Sequence, residues 1–118
     1  MEEIRINIYN IIGNSFAIEA DDGELIYKRI EQVFDEKRMV LLDFQNIEVL
    51  TAAFLNTSIG QLYSKYSSEV IKSNLSVENM LLEDMILLKR VVETAKLFYS
   101  DPSGLKKSID DILGMINE

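Results

Sequence analysis

The sequence predicts a single α/β domain spanning residues 1–118, with helices covering a mixed four-stranded sheet. Strand-like and helix-like segments alternate along the chain, and 118 residues can bury one sizeable core. The nearly unbroken apolar run from Met39 to Phe44 is typical of a strand buried on both faces. Near the N-terminus, two alternating segments are separated only by a short Gly13-Asn14 turn, which predicts an antiparallel hairpin.

The N-terminal third predicts this hairpin and a first helix. Isoleucines alternate with more polar residues from Ile4 to Ile8 and extend the first strand to Ile12, and the second strand covers Phe16 to Ala20. Either Asp21 or Asp22 can cap the helix that follows. Its apolar residues recur at helical spacing, at Ile26, Ile30, Val33 and Phe34. We expect this helix to cross over to the apolar strand in a right-handed β-α-β unit.

The apolar strand is predicted to be central and to lead into a second helix. Its last residues place Asp43 at the carboxyl end of the strand. After a short turn, Thr51 can cap a helix whose apolar face continues to Tyr66. Free backbone N–H groups at a helix start favour anions. A functional site is therefore expected around this helix start, on the edge of the sheet that also carries Asp21.

The C-terminal half predicts one weak strand and two helices. The strand is assigned to Glu69–Leu75, and Ser76 is a suitable cap for a long helix from Val77 to about Tyr99. A final helix over residues 102–117 begins with a proline at its first position and is either packed on the domain or appended to it. Its apolar residues share one face: Leu105, Ile109, Ile112, Leu113 and Ile116.

The composition narrows the classes of function. Twelve basic and twenty acidic residues give a net charge of −8, which disfavours binding to nucleic acid or to anionic membrane surfaces. The chain lacks cysteine and histidine, which removes disulfides, the usual zinc ligands and the commonest general base. We therefore expect no enzyme activity, no cofactor and no metal. No apolar run is long enough to span a bilayer and no signal peptide precedes the first strand, so a cytoplasmic location is expected.

The central stretch resembles the signature of STAS domains, the fold of sulphate transporters and anti-sigma-factor antagonists. Leu42-Asp43-Phe44 is similar to the strand end of that signature, and Val49-Leu50 to its apolar pair. Residues 51–54 fall where the family has Asp-Ser-Ser-Gly, and Gly60 is similar to a later small position. With Phe54-Leu55-Asn56, and with Asn-Leu-Ser at residues 74–76, the chain looks most like the STAS-like DUF4325 proteins of bacteria.

This resemblance implies a small regulatory module for protein–protein interaction in signalling. In anti-sigma-factor antagonists, a histidine-kinase-like ATPase phosphorylates the serine that opens the helix, and the added charge breaks the contact. Ala53 occupies that position here and has no hydroxyl, so it cannot accept phosphate. The partner implied by the resemblance is a histidine-kinase-like ATPase or another regulatory protein, and a homodimer is also compatible with it.

A second class of function remains open from the sequence. Asp43 at a strand end, with Asp21 and Asp22 upstream, superficially resembles the acidic pocket of a receiver domain, which binds Mg²⁺ and accepts phosphate on one aspartate. A receiver also needs a lysine after a later strand, and no late strand here offers one. Its acidic pair follows the first strand, whereas a hairpin is predicted before Asp21.

The predicted docking site for a protein partner combines the starts of the first two long helices. Two of its residues also have a purely structural explanation. Thr51 could serve as a helix cap and Phe54 as a core residue, without contacting a partner. Asp43 likewise has a purely structural explanation, as a hydrogen-bond acceptor that fixes the turn after its strand. The residues assigned to partner binding are Asp21, Asp22, Thr51, Ala52, Ala53, Phe54, Asn56 and Thr57.

Overall fold

The computed structural model describes residues 2–100, which form an α/β fold with parallel sheets. The strands are Glu3–Asn7 (β1), Phe16–Ala17 (β2), Met39–Asp43 (β3), Val49–Leu50 (β4) and Leu75–Glu78 (β5). The α-helices are Ile8–Ile12 (α1), Ala20–Asp35 (α2), Ala52–Ser58 (α3), Ser68–Asn74 (α4) and Leu82–Ser100 (α5), and a 3₁₀ helix covers Gly60–Ser64.

The main sheet has three parallel strands in the order β1-β3-β5. Leu42 of β3 lies opposite Ile6 on one side and Val77 on the other. This confirms the prediction that the apolar run is a central strand with Asp43 at its carboxyl end. The short strands β2 and β4 form a separate parallel pair, with Phe16 opposite Val49.

The predicted N-terminal hairpin is wrong, and with it the mixed four-stranded sheet. The alternating pattern forms a strand only as far as Asn7, whose side-chain oxygen accepts a hydrogen bond from the Asn10 N–H (2.9 Å) and so caps α1. Gly13 ends that helix in the left-handed conformation, with φ of 79°. The helix α1 separates β1 from β2, and the two strands do not pair with each other. Instead β1 pairs in parallel with β3, and β2 pairs in parallel with β4.

The starts of α2 and α3 agree only partly with the sequence analysis. The residue before α2 is Glu19, so Asp21 and Asp22 lie within the first turn and neither caps the helix. Their charges still suit the positive end of the helix dipole. At α3, the Thr51 hydroxyl accepts a hydrogen bond from the Phe54 N–H (3.2 Å), which confirms the predicted cap.

The helix that begins after Thr51 does not continue unbroken to Tyr66. It ends at Ser58 and resumes as the 3₁₀ helix. Near the break, the Thr57 hydroxyl donates to the Ala53 carbonyl (3.0 Å) and the Ser58 hydroxyl donates to the Phe54 carbonyl (2.8 Å). Such bonds from a side chain to the preceding turn often bend helices, and this explains the change in helix type.

The predicted strand Glu69–Leu75 is also wrong, because most of it forms α4. The Ser67 hydroxyl caps this helix by accepting from the Val70 N–H (3.2 Å). Ser76 belongs to the following strand β5, so the long helix begins at Leu82 instead of at Val77. The predicted helix 102–117 lies outside the described residues.

The core lies where α2, α3 and the 3₁₀ helix pack on the central strand. The side chains of β3 that carry it are Val40 and Leu42, and both are fully buried. The helices, and Ile59 between α3 and the 3₁₀ helix, contribute large buried residues to the same cluster: Ile26, Ile30, Val33, Phe54, Leu55, Ile59 and Leu62. This packing fixes the relative position of α2 and α3, and so the geometry of the surface where they begin.

Candidate functional site

The two helices α2 and α3 begin side by side because the strands that precede them are paired. The Thr51 N–H donates to the Ala17 carbonyl (3.2 Å), and the Thr51 hydroxyl donates to the Ile18 carbonyl (2.8 Å). The predicted partner-binding residues come from both helix starts. We call the members that remain accessible at the helix starts the helix-start surface: Asp21, Asp22, Thr51, Ala52, Ala53 and Thr57. Asn56 is also exposed, but it lies beside Ala95 and Phe98 of α5 and does not belong to this surface.

A glycine lets the two helices approach closely at this surface. A Cβ atom at Gly23 would lie only 2.7 Å from the Phe54 carbonyl oxygen and 3.0 Å from Cβ of Thr57. Any side chain here would therefore collide with the backbone of α3. The sequence analysis assigned no role to Gly23, although a glycine one turn into a helix is the available signal of close packing.

Phe54 does not belong to this surface. Its side chain is 0 % exposed and lies in the core, so the assignment of Phe54 to partner binding is wrong. Phe54 is the third residue of α3, and at that position its side chain points inward while Ala52 and Ala53 remain exposed. The helix start thus presents two methyl groups and its backbone, a flat surface that another molecule can approach closely.

Three large apolar side chains next to the helix starts were missed by the sequence analysis. Phe16, Ile18 and Val49 are exposed by 49 %, 39 % and 41 %, and we call them the apolar patch. Phe16 and Val49 are neighbours across the two-stranded ladder, and Ile18 is the residue whose carbonyl binds Thr51. The sequence analysis assigned Phe16 and Ile18 to a strand without assigning either face to solvent, and in the structure Ala17 is the buried residue of β2.

Acidic groups surround the apolar patch in the chain. Glu19 follows Ile18 directly, and Glu48 precedes Val49 and accepts a hydrogen bond from the Ser15 hydroxyl (3.0 Å). Both glutamates are exposed, as is Asp21. Exposed apolar side chains and exposed carboxylates therefore occur in the same short stretches of chain, and a basic, partly apolar partner surface would complement them.

Asp43 lies at a different place and is already bound by protein groups. Asp43 is 3 % exposed, and its carboxylate accepts hydrogen bonds from the Gln45 N–H (2.9 Å) and the Asn79 side chain (2.8 Å). The Arg5 guanidinium donates to the same carboxylate (3.0 Å) and to Glu78 (2.6 Å). This group of residues connects the middle of β1 with the carboxyl ends of β3 and β5.

The surroundings of Asp43 also set its protonation. Burial by itself would raise the pKa of Asp43, but the bonds from Asn79 and Gln45, together with the Arg5 charge, outweigh it and lower the pKa. The carboxylate is therefore ionised and serves to fix its turn. In a receiver-like pocket this carboxylate would bind Mg²⁺, whereas here it is paired with the Arg5 guanidinium.

Within residues 2–100, no cluster of three or more acidic, histidine or cysteine side chains is arranged to hold a metal ion. The same part of the chain contains no helix that is both long and apolar enough to cross a membrane.

Comparison with known proteins gives one finding. A family model described as a STAS-like domain of unknown function (DUF4325) matches residues 22–85, more than half of the chain. The match runs from the first turn of α2 to the start of α5 and includes all of β3, α3 and β5. Searches of the curated proteins and of the solved structures found no significant match.

Proposed function

The chain belongs to the STAS-like family DUF4325, and from this premise we propose that it is a non-enzymatic regulatory module that binds another protein. The contact is made by the helix-start surface together with the apolar patch. By analogy with anti-sigma-factor antagonists, the partner is a histidine-kinase-like ATPase or another regulatory protein. This analogy is one of family and fold, and the local chemistry of the site has to support it.

The observation that carries the proposal is the exposure of the apolar patch beside a flat helix start. Phe16 is half exposed although it belongs to a strand, and the small side chains of Ala52 and Ala53 lie where α3 begins. An aromatic anchor beside accessible backbone is a common arrangement at the centre of protein interfaces. Exposed apolar groups gain free energy when a partner removes them from water.

The charges indicate the chemistry of the partner. The helix-start surface carries Asp21 and Asp22, and Glu19 and Glu48 are exposed residues next to Ile18 and Val49 in the sequence. The net charge of the chain is −8. The complementary partner surface is therefore apolar at its centre and rich in lysine or arginine at its rim.

Binding through this surface would not be switched by phosphorylation at the helix start. Ala53 stands where the resemblance places the phosphorylated serine, and it carries no hydroxyl. The nearest hydroxyl groups are engaged, because Thr51 caps α3 and Thr57 donates to the Ala53 carbonyl. We propose that the module is permanently competent to bind and that control lies in its partner or in its abundance.

The experiment compares the full chain with the variant Ala53→Glu. Ala53 is exposed, and an acidic residue suits the first turn of a helix, so the variant should fold. The matched control is Ser73→Glu, which adds the same charge at an exposed position of α4. Partners are captured with the wild-type chain and identified by mass spectrometry, and each chain is then titrated against the purified partner.

The proposal expects Ala53→Glu to weaken binding at least about tenfold, because it adds an unpaired charge to a desolvated contact. Ser73→Glu should bind like the wild type. Circular dichroism establishes that both variants are folded. Equal affinity of all three chains would show that the contact lies elsewhere and would overturn the proposal.

A further inference from the structure

The outward side of α5 carries large apolar side chains, and the proposed function does not use it. Leu82, Ile86 and Leu97 are exposed by 74 %, 52 % and 64 %. The opposite side of the helix carries the buried residues Val91 and Ala95, and α5 packs against α3 and the 3₁₀ helix. A single exposed leucine is ordinary, but several large apolar residues on one side of a helix indicate an interaction surface.

Two opposite charges lie between the apolar residues on this side of the helix. Arg90 and Glu93 are both exposed, and neither takes part in an ion pair within residues 2–100. At about 3.6 residues per turn, these two residues share an arc of about 60° with two of the apolar residues. We call these four residues the α5 face: Ile86, Arg90, Glu93 and Leu97.

The order of residues on the α5 face makes the face complementary to itself. Ile86 precedes Arg90 by four residues, and Leu97 follows Glu93 by four. Suppose that a second α5 lies alongside in the opposite direction, with a two-fold axis midway between Arg90 and Glu93. Ile86 of each copy then meets Leu97 of the other, and Arg90 of each copy likewise meets Glu93 of the other. A parallel pair in register would instead place like charges side by side.

We propose that two copies of the chain form a dimer in which their α5 faces pack antiparallel about a two-fold axis. In such a pair both copies use the same surface, which is the commonest arrangement of protein dimers. The contact removes Ile86 and Leu97 from water. It also gives each Arg90 guanidinium a carboxylate partner, Glu93 of the other copy.

The dimensions of the contact determine how strong the dimer is. From Leu82 to Leu97, α5 extends about 22 Å, and a helix is about 10 Å wide. A contact of this size is smaller than the roughly 800 Å² per partner of a standard interface. The net charge of −8 on each copy also opposes association at low salt. We therefore expect a weak dimer that forms at high protein concentration, in salt that screens this repulsion.

The first test uses the absence of cysteine from the chain, which allows one thiol at a chosen position. Full-length Ile86→Cys and ¹⁵N-labelled Leu97→Cys chains are mixed under mild oxidation, and mass spectrometry identifies the disulfides by their isotope content. The proposal expects a disulfide between the two variants. It expects little disulfide from either variant alone, because the two thiols of such a dimer would lie about 16 Å apart along the helices, too far to be bridged.

A control sets the background from random collisions. Lys28→Cys places a thiol at an exposed position of α2 and is mixed with Leu97→Cys in the same way. Mixed disulfide of Ile86→Cys with Leu97→Cys well above this background supports the antiparallel pair. Disulfide at the background level would overturn the proposal, and so would equal disulfide from each variant alone, which would indicate a parallel pair.

The second test exchanges the charges of the α5 face. Arg90→Glu and Glu93→Arg should each weaken self-association about threefold to tenfold, because both ion pairs become repulsive contacts. A mixture of these two variants should associate about as tightly as the wild type, since each glutamate then meets an arginine. Lys28→Glu changes the net charge by the same amount as Arg90→Glu, at an exposed position of α2, and should weaken association much less.

Sedimentation equilibrium of the full chain measures this self-association, at about 0.15 M salt, where charges are screened beyond about 8 Å. A chain that stays monomeric up to about 1 mM would overturn the proposal and assign the α5 face to a different protein or to another part of the same chain. A mixture of the two charge variants that associates no better than either alone would also overturn it. Phe16→Ala should dimerise like the wild type, so the outcome is independent of the helix-start surface and its partner.

Discussion

At the scale of single residues, two phenylalanines have opposite environments. Phe54 is completely buried among core side chains, whereas Phe16 is half exposed in the apolar patch. Phe54→Ala should therefore lower the free energy of unfolding by about 3–5 kcal/mol, because it removes a buried ring and leaves a cavity. Phe16→Ala should lower the free energy of unfolding by less than about 1 kcal/mol. Urea unfolding followed by circular dichroism measures both.

The same pair separates stability from binding. Phe16→Ala should weaken binding to the identified partner about tenfold or more, as truncation of an aromatic anchor does. Its folding should be unchanged. A Phe16→Ala chain that binds like the wild type would exclude the apolar patch from the contact, even if the rest of the helix-start surface were correct.

Asp43 predicts a pH dependence of stability. Its lowered pKa means that the ionised carboxylate stabilises the fold above the unfolded-state pKa of about 3.9, and that this contribution is lost as pH falls through the lower folded-state value. Asp43→Asn should lower the free energy of unfolding by about 1–3 kcal/mol at pH 7. The reason is that the donor groups of Arg5, Asn79 and Gln45 lose their charged acceptor. The difference from the wild type should shrink below about pH 4.

The control for Asp43 is Glu3→Gln, which removes one negative charge from an exposed side chain. It should leave the unfolding free energy nearly unchanged between pH 7 and pH 3. If Asp43→Asn behaves in the same way, the bonds to Arg5 and Asn79 do not stabilise the fold.

At the scale of elements, the sequence predicted those whose side-chain pattern is long or strongly capped. The strand predicted at Met39–Phe44 is observed at Met39–Asp43, and the Thr51 cap of α3 is confirmed. The helix predicted to follow Asp21 or Asp22 is present as Ala20–Asp35, although neither aspartate caps it. The short elements were misread because one residue overrides the pattern. Asn7 caps α1 and interrupts a run of isoleucines that would otherwise continue a strand. Ser67 similarly caps α4 in a segment whose few apolar residues had been read as a strand.

The candidate site was also predictable only in part. The two helix starts were expected on one edge, and the pairing of β2 with β4 places them side by side. The sequence analysis left open whether Phe54 faces a partner or the core, and it did not anticipate the exposure of Phe16. Alternation shows that two faces differ, but it does not show which face another element covers.

The crossing of α2 and α3 yields a prediction for Gly23. Helix propensity alone favours Gly23→Ala by about 1 kcal/mol. The added Cβ would lie 2.7 Å from the Phe54 carbonyl oxygen, so the helices would have to separate. We expect a net loss of about 1–3 kcal/mol in the free energy of unfolding.

A comparison with Ser73→Ala isolates the steric effect. Ser73 is exposed in α4, so alanine there should be neutral or slightly stabilising. Urea unfolding of both variants decides the question. A stabilised Gly23→Ala chain would mean that α2 and α3 do not approach as closely as described.

At the scale of the whole molecule, the net charge of −8 should affect the rate of partner binding. A partner with a basic rim is attracted over distances of about 30 Å at 0.01 M salt, and at about 0.1 M salt this range falls to about 10 Å. The association rate should therefore fall as ionic strength rises, while the dissociation rate changes little.

The acidic first turn of α2 allows a specific control. In the double variant Asp21→Asn with Asp22→Asn, the association rate should depend less steeply on salt than in the wild type. The measurement is stopped-flow association at several salt concentrations. A rate that rises with salt in the wild-type chain would show that the partner surface is acidic, contrary to the proposed charge complementarity.

The parallel arrangement of the strands has a consequence for the newly made chain. Every strand pair joins residues that are 33 to 36 positions apart, so β1 and β2 have no strand partner before β3 and β4 have been made. At a synthesis rate of about 5–20 residues per second, the isoleucines of β1 wait roughly 2 to 7 s for their neighbours. During that interval the long helix α2 can form, because its hydrogen bonds join residues close in sequence. The apolar segment of β1 still lacks its partner strand, and we expect chaperones to bind such a segment.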